Sequence, residues 1–288
     1  MSSRVPTWLS VSLVAGAFGV LVWLERRNPL RREVEPKLIR DVRNLAVAGC
    51  GAVALQLTQS PLSSRLTALV ERRKFGLLKI GRLPGWIEIP LAVLLLDYSL
   101  YVWHVLTHKV PFLWRFHLVH HVDRDLDAST ALRFHFAELI LSAPWRAAQI
   151  VIIGVSPLSF SVWQALLLIS ILFHHSNVRL PIEWERRLNF LMVTPRMHGI
   201  HHSMVQSETD SNWSSGLTIW DRLHGTLRLS VPQDEINIGV PAFAEPADVE
   251  LLKLLALPFS EQRKDWESKT GNERAPRVLA AGDNYLLE

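Results

Sequence analysis

Apolar runs separated by short charged clusters dominate the first 175 residues of the chain. The clearest run, Trp86–Thr107, is long enough to cross a bilayer, for which a helix needs about 20 residues. Thr7–Leu24 ends in a charged stop and lacks a small-residue cleavage site, so we predict an anchor that is retained. Leu139–Val155 and Leu158–His174 are split by a Ser-Pro pair and are predicted to form a helical hairpin.

The stretch between the anchor and the clearest run can be arranged in two ways. Asn44–Leu57 is apolar but short for a span. Residues 65–82 carry six basic side chains, although counting the spans places them on the face opposite the other basic loops. Either 44–57 is re-entrant, or 65–82 forms an amphipathic helix at the membrane interface.

The topology places the ends of several apolar runs on one face. Basic residues within 25–43 assign that loop to the cytoplasm. When the spans are counted from that loop, the ends of Trp86–Thr107 and Leu158–His174 are both predicted on the cytoplasmic side. No run after residue 176 is long and apolar enough to cross. We therefore predict an all-α, multi-pass integral membrane bundle of about four transmembrane helices, with a cytosolic helical cap.

Composition narrows the chemistry that this fold could carry. Hydrophobic residues make up 49% of the 288 residues, and the mean hydropathy of +0.16 fits membrane helices plus a sizeable polar portion. The single cysteine, Cys50, excludes an internal disulfide and any multi-cysteine metal site, so a bound metal must be held by nitrogen or oxygen. The net charge of +4 lies in clusters beside apolar runs, which favours lipid headgroups over nucleic acid as the partner.

All twelve histidines lie between His104 and His224, and most of them fall in closely spaced clusters. Spacings of three and four residues place side chains on one face of a helix. The third cluster follows a helix-start signal, with Thr194 as the N-cap and Pro195 at the first helical position. The clusters are His104 and His108; His117, His120 and His121; His174 and His175; and His198, His201 and His202.

So many imidazoles predict two metal ions rather than one, because a tetrahedral zinc site needs four ligands at most. Imidazole binds iron, copper and zinc. Iron is favoured because it can pass through oxidation states that zinc cannot reach, which suits oxygen chemistry on a water-insoluble substrate. Nearby carboxylates should orient the imidazole rings. The candidates are Asp97, Asp123, Asp125, Asp127, Glu138, Asp210 and Asp221.

Six ordered motifs between residues 85 and 230 together resemble the fatty acid hydroxylase superfamily, also called the sterol desaturase family. They are Asp97-Tyr98 through His104 and His108, Trp114-Arg115-Phe116-His117 through His120-His121, Leu132-Arg133-Phe134-His135, Phe173-His174-His175-Ser176-Asn177, Thr194-Pro195-Arg196-Met197-His198 through His201-His202, and Trp220-Asp221-Arg222-Leu223. The resemblance implies three segments: 1–84 with the anchor, the second apolar segment and a basic interfacial region; 85–230 as the catalytic domain; and 231–288 as a polar C-terminal tail.

The resemblance also implies an activity and a ligand set. We expect a membrane-bound diiron oxygenase that uses O2, and electrons from a separate donor protein, to hydroxylate or desaturate a lipid such as a sterol or fatty acid. The metal site is expected on the cytoplasmic face. The residues that match the family's metal ligands are His104, His108, His117, His120, His121, His175, His198, His201 and His202.

Six further residues are candidates for a ligand or for a partner that orients one: His135, His174, Asn177, Asp97, Asp221 and His224. His224 departs from the family, which usually has an aromatic residue there, and capping of a helix end is its favoured role. Two other functions stay open. The same histidines could serve a non-enzymatic transporter or sensor of metal ions, although they gather on one side of the membrane. They could also be relics in a structural membrane protein.

Overall fold

The structure of this chain is a computed structural model that describes residues 4–81 and 83–267. Within those residues the regular structure is helical, and extended backbone pairs only at three isolated bridges. The all-α fold class is therefore confirmed. The helices are Thr7–Arg27 (α1), Lys37–Leu57 (α2), Gln59–Arg73 (α3), Leu77–Ile80 (α4), Gly85–Lys109 (α5), Pro111–His121 (α6), Phe136–Leu141 (α7), Ala143–Ile153 (α8), Pro157–His175 (α9), Ile182–Leu188 (α10), Pro195–His201 (α11), Gln206–Thr209 (α12), Ile219–His224 (α13) and Leu251–Ala256 (α14).

Five helical stretches in the described residues are long and apolar enough to cross a membrane, where the sequence predicted about four spans. They are Thr7–Arg27, Lys37–Ile80, Gly85–Lys109, Phe136–Ile153 and Pro157–His175. Many of their apolar side chains face outward, for example Val11, Val53 and Ile152, each more than half exposed. Outward apolar side chains on long helices are typical of a protein surrounded by lipid, because lipid tails solvate them.

The second stretch is a helix broken at Thr58 rather than a re-entrant loop. Asn44, in α2, lies at the histidine end of the bundle and donates to Asp123 across 2.8 Å. Gln59 at the start of α3 contacts Leu139 O further along. Beyond α3 the backbone reaches Gly76, where φ is +98° and an added Cβ would lie 2.3 Å from Gly154 Cα. The chain thus runs from one end of the bundle to the other, and the basic residues of α3 lie toward the end away from the histidines.

The chain reverses at the Ser-Pro pair as predicted, but α8 packs mainly on α3 and α5 rather than on α9, so the two helices do not form a closely packed hairpin. The turn itself has a clear sequence cause. Gly154 ends α8 in the left-handed conformation, with φ +80°, a region that glycine occupies at no steric cost. Ser156 then caps α9, because its side chain accepts from the Ser159 amide across 3.1 Å, and Pro157 occupies the first helical turn. Helix α9 then returns the chain to the histidine end and finishes there at His175.

The cap is built from α10–α13 and from residues C-terminal to them. Val240, Phe243 and Leu254 are buried against Val119 of α6 and Val47 of α2 in one apolar cluster. Residues 231–267, which belong to the predicted tail segment, therefore contribute to the core beside the histidines. Residues 268–288 of that segment lie outside the described part of the chain.

Candidate metal centre

The first two histidine clusters are brought together by the end of α5, the break before Pro111 and the helix α6 that follows it. His104 and His108 lie one turn apart at the end of α5, as the four-residue spacing predicts. Pro111 then starts α6, with Val110 in extended conformation, so the chain reverses over the end of α5. His117 comes back to within 5.2 Å of His104, measured between ring centroids.

Eight imidazoles form two groups of four, in which the nitrogen atoms that could bind an ion all lie within 4.8 Å of one another. In the group that contains His120, the Nε2 atom of His175 lies 3.0 Å from that of His120 and 3.0 Å from that of His198. The Nε2 atoms of His198 and His202 are 3.1 Å apart. Two nitrogen ligands about 2.1 Å from one ion and at right angles would be about 3.0 Å apart. We call the two groups of four imidazoles group A, which consists of His104, His108, His121 and His201, and group B, which consists of His120, His175, His198 and His202.

Backbone carbonyl groups fix the tautomer of three of these rings. His104 Nδ1 lies 2.7 Å from Trp213 O, His201 Nδ1 lies 2.8 Å from Ser211 O, and His175 Nδ1 lies 2.8 Å from Ile171 O. A carbonyl oxygen can only accept, so each Nδ1 carries the proton and each Nε2 keeps its lone pair. This is the arrangement by which proteins orient metal-binding imidazoles.

His117 lies beside group A and is oriented by a carboxylate. Its Nδ1 lies 2.8 Å from Glu138 Oε1, and both side chains are buried. Its Nε2 is buried without a hydrogen-bond partner, as are Nε2 of His108, His121 and His201. Buried polar nitrogen without a partner is costly, and a metal ion would satisfy these atoms. The donor set therefore fits two ions, with five imidazoles available to one and four to the other.

Burial keeps five of the imidazoles neutral, which is the form that binds metal: His120, His121, His198, His201 and His202. Removal from water and the neighbouring imidazoles lower the pKa of His120, His121, His198 and His202 well below the ordinary value. Burial likewise lowers the pKa of His201 to about 3. Neutral rings leave the charge of bound cations uncompensated within the cluster, so the nearby carboxylates matter.

Of the seven predicted carboxylates, Glu138 touches a candidate ligand, and Asp221 acts through the backbone. Asp221 Oδ1 accepts from the Trp213 amide across 2.9 Å and Oδ2 accepts from the Ser214 amide across 3.0 Å. It thereby holds the carbonyl that orients His104. Asn212 adds to this strap, residues 211–214: it has φ +54°, and its side chain donates to Met197 O across 2.9 Å.

The other five carboxylates hold the surroundings of the site. Asp97 accepts from the Leu217 amide and from Trp220 Nε1, which ties α5 to the cap. Asp123 lies between Arg40 and Arg133, each 3.0 Å away. The remaining three pair with groups outside both histidine groups: Asp125 with the Val34 and Glu35 amides, Asp127 with Arg40 and Lys37, and Asp210 with Lys109.

The additional ligand candidates lie outside groups A and B. His135 caps α7, with Nδ1 accepting from the Ala137 amide and Nε2 3.2 Å from Leu255 O, so both nitrogens are engaged. Asn177 bonds to the backbone of Arg31 through both side-chain atoms. His224 is exposed at the end of α13 and stacks on Tyr101, with ring centroids 5.0 Å apart. His174 packs on His198 at 4.2 Å, and its Nδ1 is buried without a partner.

Sequence reasoning missed one contact behind the third histidine cluster. The Arg31 guanidinium donates to Pro195 O across 2.6 Å and to Gln233 Oε1 across 3.0 Å. It fits there because position 199 is glycine: a Cβ on Gly199 would lie 1.8 Å from Arg31 Nη2. The glycine inside the His-Gly-Ile-His-His motif was the available signal.

The helices and buried imidazoles define a helical integral membrane protein with two adjacent groups of histidines suited to metal ions. Residues 89–226 match the family model described as fatty acid hydroxylase. This part of the chain, which holds all the candidate ligands, is similar to the fatty acid hydroxylase family.

Several characterised proteins are similar over part of their length. Ornithine lipid hydroxylase OlsE of Rhizobium tropici is 29% identical over 209 residues, covering 70% of this chain and 61% of that protein. Cholesterol 25-hydroxylase of Homo sapiens is 32% identical over 154 residues, covering 50% and 53%. Alkylglycerol monooxygenase of Xenopus tropicalis is 31% identical over 148 residues, covering 50% and 31%. This chain thus spans about a third to three fifths of the length of these relatives. No solved structure gives a significant match.

Proposed function

We propose that the chain is a membrane-bound oxygenase that hydroxylates a C–H bond of a lipid, with two iron ions as its cofactor. His104, His108, His117, His121 and His201 would hold one ion, and group B would hold the other. The observation that carries the proposal is the convergence of imidazole nitrogens in two groups of four at the end of apolar helices, beside the buried, unpartnered Nε2 atoms of His108, His117, His121 and His201. Such a site would give a water-insoluble substrate access from the lipid phase.

When bound, the iron pair would supply the redox chemistry that activates O2. The overall reaction inserts one oxygen atom of O2 into the C–H bond and reduces the other to water. It consumes two electrons, which a separate donor protein would supply at the cytoplasmic face, and two protons, which come from water. Hydroxylation is favoured over desaturation because the relatives are named hydroxylases and a monooxygenase.

The chain's own residues would position the ligands and exclude water. Glu138 and the carbonyl groups of the 211–214 strap hold proton-bearing Nδ1 atoms, so that Nε2 points inward. Phe134 stacks on His120, with ring centroids 4.5 Å apart and planes within 9°, and so closes one side of group B. Exclusion of water would protect a strong oxidant from side reactions.

The substrate class is a membrane lipid, because the relatives act on an ornithine lipid, on cholesterol and on alkylglycerol according to their names. Comparing the lipids of cells with and without the gene, by mass spectrometry under ¹⁸O2, would identify the substrate. A product that gains one ¹⁸O atom is expected. A product that loses two hydrogens without gaining oxygen would contradict hydroxylation.

Metal analysis of matched variants tests the ligand assignment. Purified protein should contain two irons per chain, and His120→Ala or His201→Ala should lower the iron content and abolish lipid-dependent O2 uptake. His224→Ala is the control, because His224 is exposed and outside both groups. Iron loading of either ligand variant equal to that of His224→Ala would refute the assignment.

A second experiment separates the enzyme from a metal transporter or sensor. Iron-loaded protein in vesicles that contain the native lipids should consume O2 when a reductant is supplied, with lipid product formed in equal amount. A metal-handling protein would keep its iron and consume no O2 in step with a lipid product. That result would refute the oxygenase while leaving the metal site intact.

A further inference from the structure

Exposed apolar side chains concentrate on one side of the cap. Trp184 is 59% exposed, Phe190 76%, Leu191 63%, Ile219 51% and Leu223 68%. Single exposed apolar residues are ordinary on a protein surface, but a cluster of large ones indicates an interaction surface. We call residues 182–192 and 217–223 the cap foot.

Backbone contacts join the two parts of the cap foot into one surface. Met192 and Leu217 form an isolated antiparallel bridge, and the Thr218 amide donates to Leu191 O across 3.2 Å. Arg222 donates to Asn189 O, also across 3.2 Å. These bonds hold 189–192 beside the start of α13, so the exposed side chains belong to one patch.

The cap foot is anchored on the membrane side of the histidines. Asp97 Oδ2 accepts from the Leu217 amide across 3.0 Å and from Trp220 Nε1 across 2.7 Å. Asp97 precedes His104 in α5 by seven residues, which is about 10 Å along a helix. Ser170, five residues before the end of α9, donates to Ser215 O across 2.7 Å. The segment that leads into α13 therefore lies closer to the middle of the membrane-crossing helices α5 and α9 than the metal ligands do.

We propose that the cap foot inserts into the headgroup and upper acyl region of the leaflet on the histidine side. It lies against the membrane-crossing helix α5, because Trp220, which follows the exposed Ile219, packs on Tyr98 of α5 with ring centroids 4.8 Å apart. Short amphipathic elements bury an apolar face in this region of a bilayer and keep cations at headgroup level.

Two arginines sit where such an arrangement needs cations. Arg222 lies over the Phe190 ring at 5.3 Å, and Arg187 lies over the Trp184 ring at 5.9 Å. Both side chains belong to the cap foot and can keep their charged ends at headgroup level while their stems cover apolar surface. Anionic headgroups would add an attraction that a neutral bilayer lacks.

Site-directed spin labelling tests the insertion without reference to the reaction. The exposed Cys50 is first replaced by serine, and single cysteines are then introduced as Phe190→Cys and Leu223→Cys in the full chain. Val11→Cys in α1, 60% exposed, is the lipid reference, and Asn237→Cys, exposed on the cap, is the water reference. Each protein is reconstituted in vesicles of phosphatidylcholine and phosphatidylglycerol.

The readout is the collision rate of the spin label with O2, which enriches in lipid, divided by that with a water-soluble nickel chelate. Labels at positions 190 and 223 should show a ratio several-fold above that at 237 and close to that at 11. Ratios at both positions equal to that at 237 would overturn the proposal. Gel filtration and circular dichroism confirm that each variant is folded, so a low ratio reports the position of the cap foot.

Discussion

The buried ion network around Asp123 should decide both the stability of the protein and the integrity of its metal centre. Asp123 follows the second histidine cluster by two residues and is fully buried. It lies 3.0 Å from both Arg40 and Arg133, and it accepts from Asn44 and Thr130 across 2.8 Å each. The substitution Asp123→Asn keeps the shape of the side chain but removes its charge.

The size of the effect follows from the two guanidinium groups. Burial alone would raise the pKa of the Asp123 carboxyl, but Arg133 and Arg40 lower it to about 2. Compared with about 3.9 for an unfolded chain, this is equivalent to about 2–3 kcal/mol of stability at neutral pH. The variant also leaves Arg133, with no exposed surface, facing an amide. Breaking a buried ion pair on one side costs about 3–5 kcal/mol, so we expect a loss of about 3 kcal/mol.

Thermal unfolding in detergent, followed by tryptophan fluorescence, measures this loss. A decrease of 3 kcal/mol should lower the melting temperature by about 5–10 °C. Because the folded-state pKa is depressed, the stabilisation is fully present above about pH 4 and is lost as the pH falls toward 2. The variant should lack this dependence. Asp234→Asn is the matched control at an exposed site. A melting temperature for Asp123→Asn within 1–2 °C (about 0.5 kcal/mol) of that control would refute the reasoning.

Three further substitutions probe the groups that hold the ligands. Gly199→Ala should displace the Arg31 guanidinium and lower the free energy of unfolding by about 1.5–3 kcal/mol, measured in a thermal melt. This loss should largely disappear when Arg31 is also replaced by alanine, and equal losses with and without Arg31 would contradict the contact. Asp221→Asn should weaken iron binding about tenfold in a chelator competition, because the strap loses its charged acceptor; unchanged affinity would exclude this role. Glu138→Gln should lower iron affinity about 10–100-fold by loosening His117, and Glu138→Asp should not restore it if the 2.8 Å contact is required.

Local signals in the sequence predicted the helix ends that build the site. The break at Pro111 and the start at Pro195 appear where proline removes a backbone donor and favours the first helical turn. Thr194 does precede the first residue of α11, but its side chain makes no capping bond. Apolar length predicted most of the long helices, because a bilayer sets their minimum size.

Long-range contacts could not be predicted in the same way. The carbonyl groups that orient His104 and His201 come from an irregular strap whose path depends on tertiary packing. The same holds for Arg31, whose fit behind α11 needs the loop after α1 to cross the cap. Residues 231–267 are polar on average, so their composition did not predict that single apolar residues such as Val240 and Leu254 are buried in the core.

The division of the histidines between the two groups differs from the helical-face prediction for a definite geometric reason. The spacings predict His117, His120 and His121 on one face, yet His120 belongs to group B and His121 to group A. Successive residues on a helix are separated by about 100°, so two adjacent imidazoles cannot point at one ion position. His201 and His202 divide in the same way. These two His-His pairs thus each give one ring to each group, whereas His174-His175 gives only His175, to group B.

This sharing makes the two groups mechanically dependent. His120 and His121 are consecutive on α6, and a change that lets one ring move alters the backbone that aims the other. His201 and His202 couple the groups again from α11, where the rings of His121 and His202 stack at 4.3 Å. Loss of one ion should therefore lower the affinity for the second, and His120→Ala should weaken group A although it removes a ring from group B. Titration of metal-free His120→Ala with Fe(II) should show one site that is weaker than either wild-type site; a remaining site of wild-type affinity would show that the groups act independently.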